Sequence, residues 1–525
     1  MNFSTLDFIV FIGYCLLIIV FGIWISREKK GHTKNSTDYF LASKSLPWWA
    51  IGASLIASNI SAEQFIGMSG SGFAIGLGIA SYEFMAAATL IIVAKFFLPI
   101  YIKEGIFTMP QFLKLRYDDR IRTSLAVFWI MLYIFVNLTT VLYLSALALS
   151  VVLDVSTTYA IIGLAVVAVS YSIYGGLKAV AWTDVIQVIF LIFGGLVTTY
   201  LALDAVSGGT GPFNGMSMLL EKAPEKFDMI LSEENPFYKD LPGMTVLFGG
   251  MWIANISYWG FNQYIVQRAL AAKSVKEVQW GLVFAAFLKL LIPLVVVIPG
   301  IAAFALNAEI SRYDEAYPWL LGNLVPTGLK GLAFAALIAA ALSSLSSMMN
   351  STATIFTMDI YKSHLKKDAT ENQMVMVGRL VSLTAIIIAV LVAEPLLGGE
   401  EQIFQFIQKY TGYVSPGIVV LFLFGLFWKR ATSNAALATA IASVPFSIII
   451  DITFPTMPFL DQMGLVFLLL SALMVGYSLF ENNVRGKYPE NTVYIEKGLF
   501  KTDSIFNVTA MAIILVLAAI YIIFW

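Results

Sequence analysis

Apolar runs of 17 to 25 residues recur along this chain from end to end. At 1.5 Å of rise per helical residue, each is long enough to cross the ~30 Å hydrocarbon core of a bilayer. About fourteen can be marked, centred near residues 16, 61, 89, 136, 165, 193, 256, 292, 343, 385, 416, 442, 470 and 515. Positive charge follows alternate runs: Arg27, Lys29 and Lys30, then Lys103, Lys114, Arg116, Arg120 and Arg122, then Arg268, Lys273 and Lys276. Lys362, Lys366, Lys367 and Arg379 continue the series, followed by Lys429 and Arg430, and by Arg485, Lys487, Lys497 and Lys501. The loops between are acidic or nearly neutral, with Glu233, Glu234 and Asp240, then Glu309, Asp314 and Glu315, then Glu400 and Glu401. Cytoplasmic loops collect Lys and Arg, so the N-terminus is expected outside. An even number of spans puts both termini there.

Three runs read as interrupted helices. Residues 47–75 mix Asn59, Ser61, Glu63 and Gln64 with a glycine-rich stretch from Gly67 to Gly72. Residues 247–270 hold Gly249, Gly250, Asn255, Ser257, Gly260 and Asn262, and residues 402–428 hold Gln405, Gln408, Lys409, Gly412, Ser415, Pro416 and Gly417. Interrupted helices at matching places in two halves point to an inverted-repeat transporter with its site near the midplane. Five spans per repeat predict one repeat over residues 47–206 and its inverted partner over 244–430. Residues 1–46 form a leading helix and loop, and 431–525 the C-terminal helices, in a single membrane domain.

Composition agrees. The chain has 525 residues, 59% hydrophobic and 12% charged, with a mean hydropathy of +0.82, against about 25% charge in a soluble domain. A net charge of −1 gives no electrostatic case for a nucleic-acid partner. Cys15 is the single cysteine, which excludes an intrachain disulfide, and His32 and His364 fall in polar loops. An intramembrane metalloenzyme or histidine-based hydrolase lacks its parts, so an enzyme is not expected. The first run follows seven residues without positive charge, unlike a cleavable signal. The glycine run from Gly67 lacks a P-loop lysine and is no nucleotide motif.

Polar atoms at membrane depth mark the candidate chemistry. Ser343 and Ser344 end an apolar helix; close helix packing through small residues is one reading. The other is a pair of hydroxyl ligands for Na⁺, completed by carbonyls freed where the first interrupted helix unwinds. Glu83 and Lys289 sit inside apolar spans, where an isolated charge costs about 2.5 to 3.5 kcal/mol or more. They form either a structural ion pair or the walls of a polar cavity that binds a polyol through charge-assisted hydrogen bonds. Gln64, Asn255 and Gln408 bring amides to the three interruptions, and Tyr258 could stack on the apolar face of a sugar. Asp184 lies near a cytoplasmic helix entrance, where capping and an ion path are both open. Lys95, Asp359 and Lys409 lie near span ends, where snorkelling accounts for them.

Several blocks are specific: Asp38-Tyr39-Phe40-Leu41-Ala42, Ser45-Leu46-Pro47-Trp48-Trp49, and Ser58 to Gly67. With them go Tyr171 to Leu177, Tyr258 to Tyr264, and Asn350-Ser351-Thr352-Ala353-Thr354. In these the chain resembles the sodium:solute symporter family, especially the bacterial sodium/galactose members of its sodium/glucose branch. The likeness runs nearly end to end and is weakest over 207–243, 307–327 and 480–504. It implies an all-α integral membrane fold with a LeuT-like core of two inverted five-helix repeats and discontinuous helices. It implies Na⁺ as coupling ion, held by the carbonyls of Ala57, Ile60 and Ala340 and the hydroxyls of Ser343 and Ser344, with no organic cofactor. The family's sugar site maps onto Gln64, Glu83, Asn255, Lys289, Ser347 and Gln408, with Asn59 between ion and sugar. Tyr258 is similar to the aromatic under the sugar, Met68, Tyr82 and Phe404 to the outer lid, and Asp184 to a residue on the sodium exit route. Ala86 departs: close galactose members carry serine there.

The expectation is a Na⁺-coupled symporter of a hexose, galactose or glucose, working by alternating access in a bacterial inner membrane. The bilayer, the sugar and Na⁺ are its expected partners, with no obligate protein partner. Uptake of myo-inositol or sialic acid, or a sugar-gated sensor or channel, are the alternatives.

Overall fold

The computed structural model describes residues 4–27, 35–61, 63–153, 155–398, 403–489 and 491–525. Lys29, Lys30, Glu400 and Glu401, which carried part of the charge pattern, lie outside them, as do His32, Ala62 and the side chains of Glu63, Tyr171 and Tyr174.

Helix starts are set by local capping. Helix α1 (Thr5–Ile25) opens on Ser4, whose hydroxyl accepts the Asp7 N–H while the Asp7 carboxylate accepts the Ser4 N–H, a capping box. The second oxygen of Asp7 accepts the N–H groups of Gly328 (2.7 Å) and Gly331 (2.9 Å), tying the start of α1 to the start of a helix far along the chain. The chain then runs through α2 (Trp48–Asn59), α3 (Ser81–Ile92), α4 (Asp119–Leu132) and α5 (Thr157–Val206). After α6 (Gly250–Ile256) and α7 (Gln263–Leu270) come α8 (Val275–Ala305), α9 (Leu329–Ile355) and α10 (Glu371–Leu397). The last are α11 (Ile403–Gly412), α12 (Ser415–Phe427), α13 (Ser433–Thr453), α14 (Phe459–Asn483) and α15 (Ser504–Ile523).

Among the described residues, ten helices are long and apolar enough to cross a membrane, or eleven when α11 and α12, bent by 48°, form one span. The other three expected centres, near 61, 165 and 256, fall where the backbone is broken or the helix is short. Helix α2 ends at Asn59 and is followed by a π-turn over Glu63–Met68. Between α6 and α7 lie a π-turn at Ser257–Phe261 and an extended Asn262 (φ −79°, ψ 125°). All three interruptions expected from the polar and glycine clusters are therefore present. The kink inside α5 was not foreseen: Gly176 takes φ 64° and leaves Thr157–Ser170 as a shorter apolar helix. A Cβ there would lie 2.5 Å from the Tyr39 carbonyl, so only glycine fits.

Close packing brings the interrupted helices onto α8. A Cβ on Gly52 of α2 would meet the Gly281 carbonyl at 2.6 Å, and one on Gly300 would meet the Ser69 carbonyl at 2.1 Å, the small-residue contact common between membrane helices. The span built on α9 has 94% of its apolar window buried inside the protein, against 17% for α1 and 22% for α15. Helix α9 is thus the central one. Shielded from lipid, it can carry a run of hydroxyls that a peripheral span could not.

Candidate functional site

Where the three interruptions meet α3 and α8, a cavity opens, enclosing about 980 Å³ with its mouth included. Asn59, Gln64, Glu83, Asn255, Tyr258, Lys289 and Gln408 all line it, as does Ala86. Seven residues read from scattered places in the sequence are thus on one surface.

Lys289 and Glu83 are fully buried and paired, and the Lys289 ammonium also donates to the Asn59 side-chain oxygen. The same Nζ stands 5.0 Å above the Trp259 ring, a cation–π contact that adds to its stabilisation. Glu83 presents its carboxylate to the cavity from the first turn of α3, and Ala86, three residues on, shares that face. The Asn59 amide nitrogen donates to the Tyr258 hydroxyl at 3.1 Å, which in turn bonds to the Tyr264 hydroxyl. A hydrogen-bonded chain therefore links the buried charges to the aromatic that floors the cavity. Gln64 is partly committed to its own break, its carbonyl oxygen accepting the Ser61 N–H at 3.2 Å; Asn255 donates to the Met251 carbonyl at 3.1 Å.

Tyr82 and Phe404, expected in the lid, meet edge to face at 5.3 Å between ring centres and both line the cavity. Phe404 sits near the start of α11, where Ile403 donates its N–H to Asp314 at 3.3 Å. Burial pushes the Asp314 carboxyl up to about 7, against the lowering effects of that N–H and of Arg312. Met68, expected in the lid, is buried beside Gly67 rather than on the cavity wall. Ser347, expected to touch the sugar, also lies off that wall: its hydroxyl donates to the Ser343 carbonyl at 2.7 Å and accepts from Arg268.

The residues expected to hold the ion lie where α9 crosses α2. Ser344 donates to the Ser58 carbonyl at 3.0 Å, and Ser343 donates to Asp184. Ala57, Ile60 and Ala340 are buried beside them. Neutral hydroxyls and carbonyls freed at the end of α2 make a donor set that suits a monovalent hard cation. Asp184 is not a helix cap. It lies about two turns past the Gly176 kink, fully buried, and accepts from the hydroxyls of Ser54 and Ser343 and from Arg268 at 3.4 Å.

Arg268 is the main residue that the sequence reading misplaced. Counted there among cytoplasmic loop charges, it is fully buried and bonds to Asp184, Ser347, the Tyr264 carbonyl and Ser54 (2.8 Å). Its position on α7 directly after an interruption, and the need of buried Asp184 for a counter-charge, were the available signals. Asp359 is a second correction. It does not snorkel but is buried, accepting from the Thr108 hydroxyl at 2.7 Å with the Arg122 Nε 3.8 Å away. Lys409, by contrast, is half-exposed beside Asp451 at 3.4 Å, and Lys95 lies over Phe96. Asn137 was also missed: it lines the cavity from a π-helical stretch, and its buried side-chain oxygen has no hydrogen-bond partner among the described residues.

A profile described as the sodium:solute symporter family matches residues 39–443. The chain is 53% identical over 539 residues to a sodium/glucose cotransporter of Vibrio parahaemolyticus, covering 99% of this chain and 98% of that protein. It is 35% identical over 459 residues to sodium/myo-inositol cotransporter 2 of Oryctolagus cuniculus, covering 82% of this chain and 67% of that one. A solved structure of a Na⁺-coupled sialic acid symporter in a substrate-bound outward-open state superposes with a TM-score of 0.81 at 24% identity, over 93% of this chain and all of that one. That likeness extends the shared fold across nearly the whole molecule.

Proposed function

The chain belongs to the sodium:solute symporter family and couples solute movement to sodium; from that premise we propose that its solute is a hexose, galactose or glucose. The observation that carries this reading is the buried Lys289–Glu83 pair on a cavity wall that also carries the amides of Asn59, Gln64, Asn137, Asn255, Asn262 and Gln408. A structural ion pair needs no cavity and no ring of amides. A polyol needs both donors and acceptors around it, and an ammonium beside a carboxylate supplies the strongest of each. Glu83, Lys289, Gln64, Asn255 and Gln408 contact hydroxyls in this reading, and Tyr258 lies under the ring. Tyr82 and Phe404 close over it. The name of the 53%-identical relative supports the same solute class.

Na⁺ is held by the carbonyls of Ala57, Ile60 and Ala340 and the hydroxyls of Ser343 and Ser344. Bound there, it ties α2 to α9 and favours the outward-facing arrangement. Inward opening separates those helices and releases the ion past Asp184. The core is two inverted five-helix repeats, residues 47–206 and 244–430, in a fourteen-span inner-membrane protein with both termini outside. For one Na⁺ per sugar, about 2.3 kcal/mol per 100 mV plus about 1.4 kcal/mol for a roughly tenfold gradient sustains accumulation of about 500-fold.

The second reading is myo-inositol, favoured by the 35%-identical relative named for it and by Ala86, which leaves one cavity wall without a hydroxyl. A panel of unlabelled galactose, glucose and inositol competing against labelled galactose uptake separates the two. Competition by inositol at lower concentrations than by either hexose would overturn the hexose assignment.

A further inference from the structure

Helix α15 is peripheral, yet it packs chiefly on α3 and α8, the two helices that carry Glu83 and Lys289. The buried Tyr521 hydroxyl donates to the Ser81 hydroxyl at 3.0 Å, and its ring stands edge-on to Phe84, 6.5 Å between centres. Ser81 and Phe84 are one turn apart and share a face of α3. Glu83, two residues from Ser81, lies about 200° around the helix. The Tyr521 bond thus holds the back of a segment whose front presents the carboxylate to the cavity.

A second set of contacts fixes the same region. Just past α15, the Phe524 carbonyl accepts the Met229 N–H at 2.8 Å, and the Phe524 ring lies 6.0 Å from Phe227. That loop in turn cradles the approach to α3. Lys226 donates to the Ala74 carbonyl at 2.6 Å, and Gly76, at φ 102°, comes so near that a Cβ would lie 2.4 Å from the Lys226 carbonyl. Helix and loop together grip the outer end of α3.

We propose that α15 is a positioning element for solute recognition, with Tyr521 and Ser81 setting the rotation of α3 and so the aim of Glu83 at the cavity. The proposal rests on Glu83 being a solute contact. A rotation of about 10° moves a carboxylate ~6 Å from the helix axis by ~1 Å, enough to lose a hydrogen bond. Helix α15 lies beyond the residues matched by the family profile, so it tunes the site from outside that region.

The test uses the full chain in proteoliposomes with Tyr521→Phe, Ser81→Ala and the double variant. Each single change should raise the half-saturating hexose concentration roughly 2- to 12-fold, the range of one neutral hydrogen bond. The double variant should be no worse than the poorer single one, because both remove the same bond. Maximal rate, and half-saturating Na⁺ measured at saturating sugar, should stay at wild-type values. An unmoved sugar constant refutes the positioning role, and so does a loss of maximal rate and Na⁺ affinity in step with it, which marks general destabilisation. A wild type that no hexose saturates refutes the sugar assignment and the proposal with it, whereas a saturable wild type with unmoved variants refutes the positioning role alone.

Discussion

The Lys289–Glu83 pair separates a structural from a functional reading most sharply. Lys289→Met removes the ammonium from Glu83, from Asn59 and from the Trp259 ring. It leaves a carboxylate that is 3% exposed without a counter-charge. Breaking a buried pair from one side costs about 3 to 5 kcal/mol, so the single variant should unfold well below the wild type. Glu83→Gln should do so for the mirror-image reason. Joining the two removes both charges while keeping the volumes, and stability should return to within about 1.5 kcal/mol of wild type. Sugar binding should not return. Each charge-assisted bond to a hydroxyl contributes about 1.5 to 3 kcal/mol, so the refolded double variant should bind hexose at least tenfold more weakly. Thermal unfolding in nanodiscs reads the first quantity and labelled-hexose binding the second. A stable double variant that binds hexose within threefold of wild type would show that the pair only holds the helices together, and the sugar site would need to be redrawn.

Ser344→Ala removes the bond to the Ser58 carbonyl together with one of the proposed Na⁺ ligands; Na⁺ stimulation of uptake should vanish while the protein stays folded, as measured by uptake across a Na⁺ titration. Arg268→Leu strands Asp184 and should cost about 3 to 5 kcal/mol, largely recovered in Arg268→Leu with Asp184→Asn; thermal unfolding of the two variants beside wild type checks this. Asp314 has its pKa raised from the unfolded value of 3.8 to about 7, so the native state binds the extra proton: the stability it contributes is full below about pH 4, is lost as pH rises to about 7, and levels off above that. Asp314→Asn should therefore match the wild-type unfolding temperature only below about pH 4, already exceed it near pH 5 and exceed it further at pH 8. Ala86→Ser adds a hydroxyl on the face shared with Glu83, and galactose inhibition constants should tighten roughly 2- to 12-fold if that wall faces the sugar.

What was legible in the sequence follows from membrane physics. Glycine and amide clusters inside otherwise apolar runs expose backbone that lipid cannot satisfy, and all three such clusters became interruptions. Glu83 and Lys289 stood out because charge inside a span demands a partner. Arg268 and Asp359 escaped for the opposite reason: each lies close to a cluster of lysines near a span end, where the positive-inside pattern accounts for a charge without burial. Asn137 hid in a continuous apolar run, since nothing local announces that a π-turn will aim it inward. Ser347 shows the limit of correspondence. Its place in the sugar set came from resemblance, and the neighbouring Arg268 claims its hydroxyl.

The central claim is energetic coupling of hexose to sodium, and one measurement addresses it directly. Purified protein in sealed proteoliposomes, given an inward Na⁺ gradient and an inside-negative potential, should concentrate labelled galactose or glucose well above the outside level, toward the ~500-fold ceiling for one ion at about 100 mV. The accumulated sugar should leave when the gradient is collapsed. Hexose that enters only to equal concentrations, with or without Na⁺, would mark a sensor or channel and contradict the account.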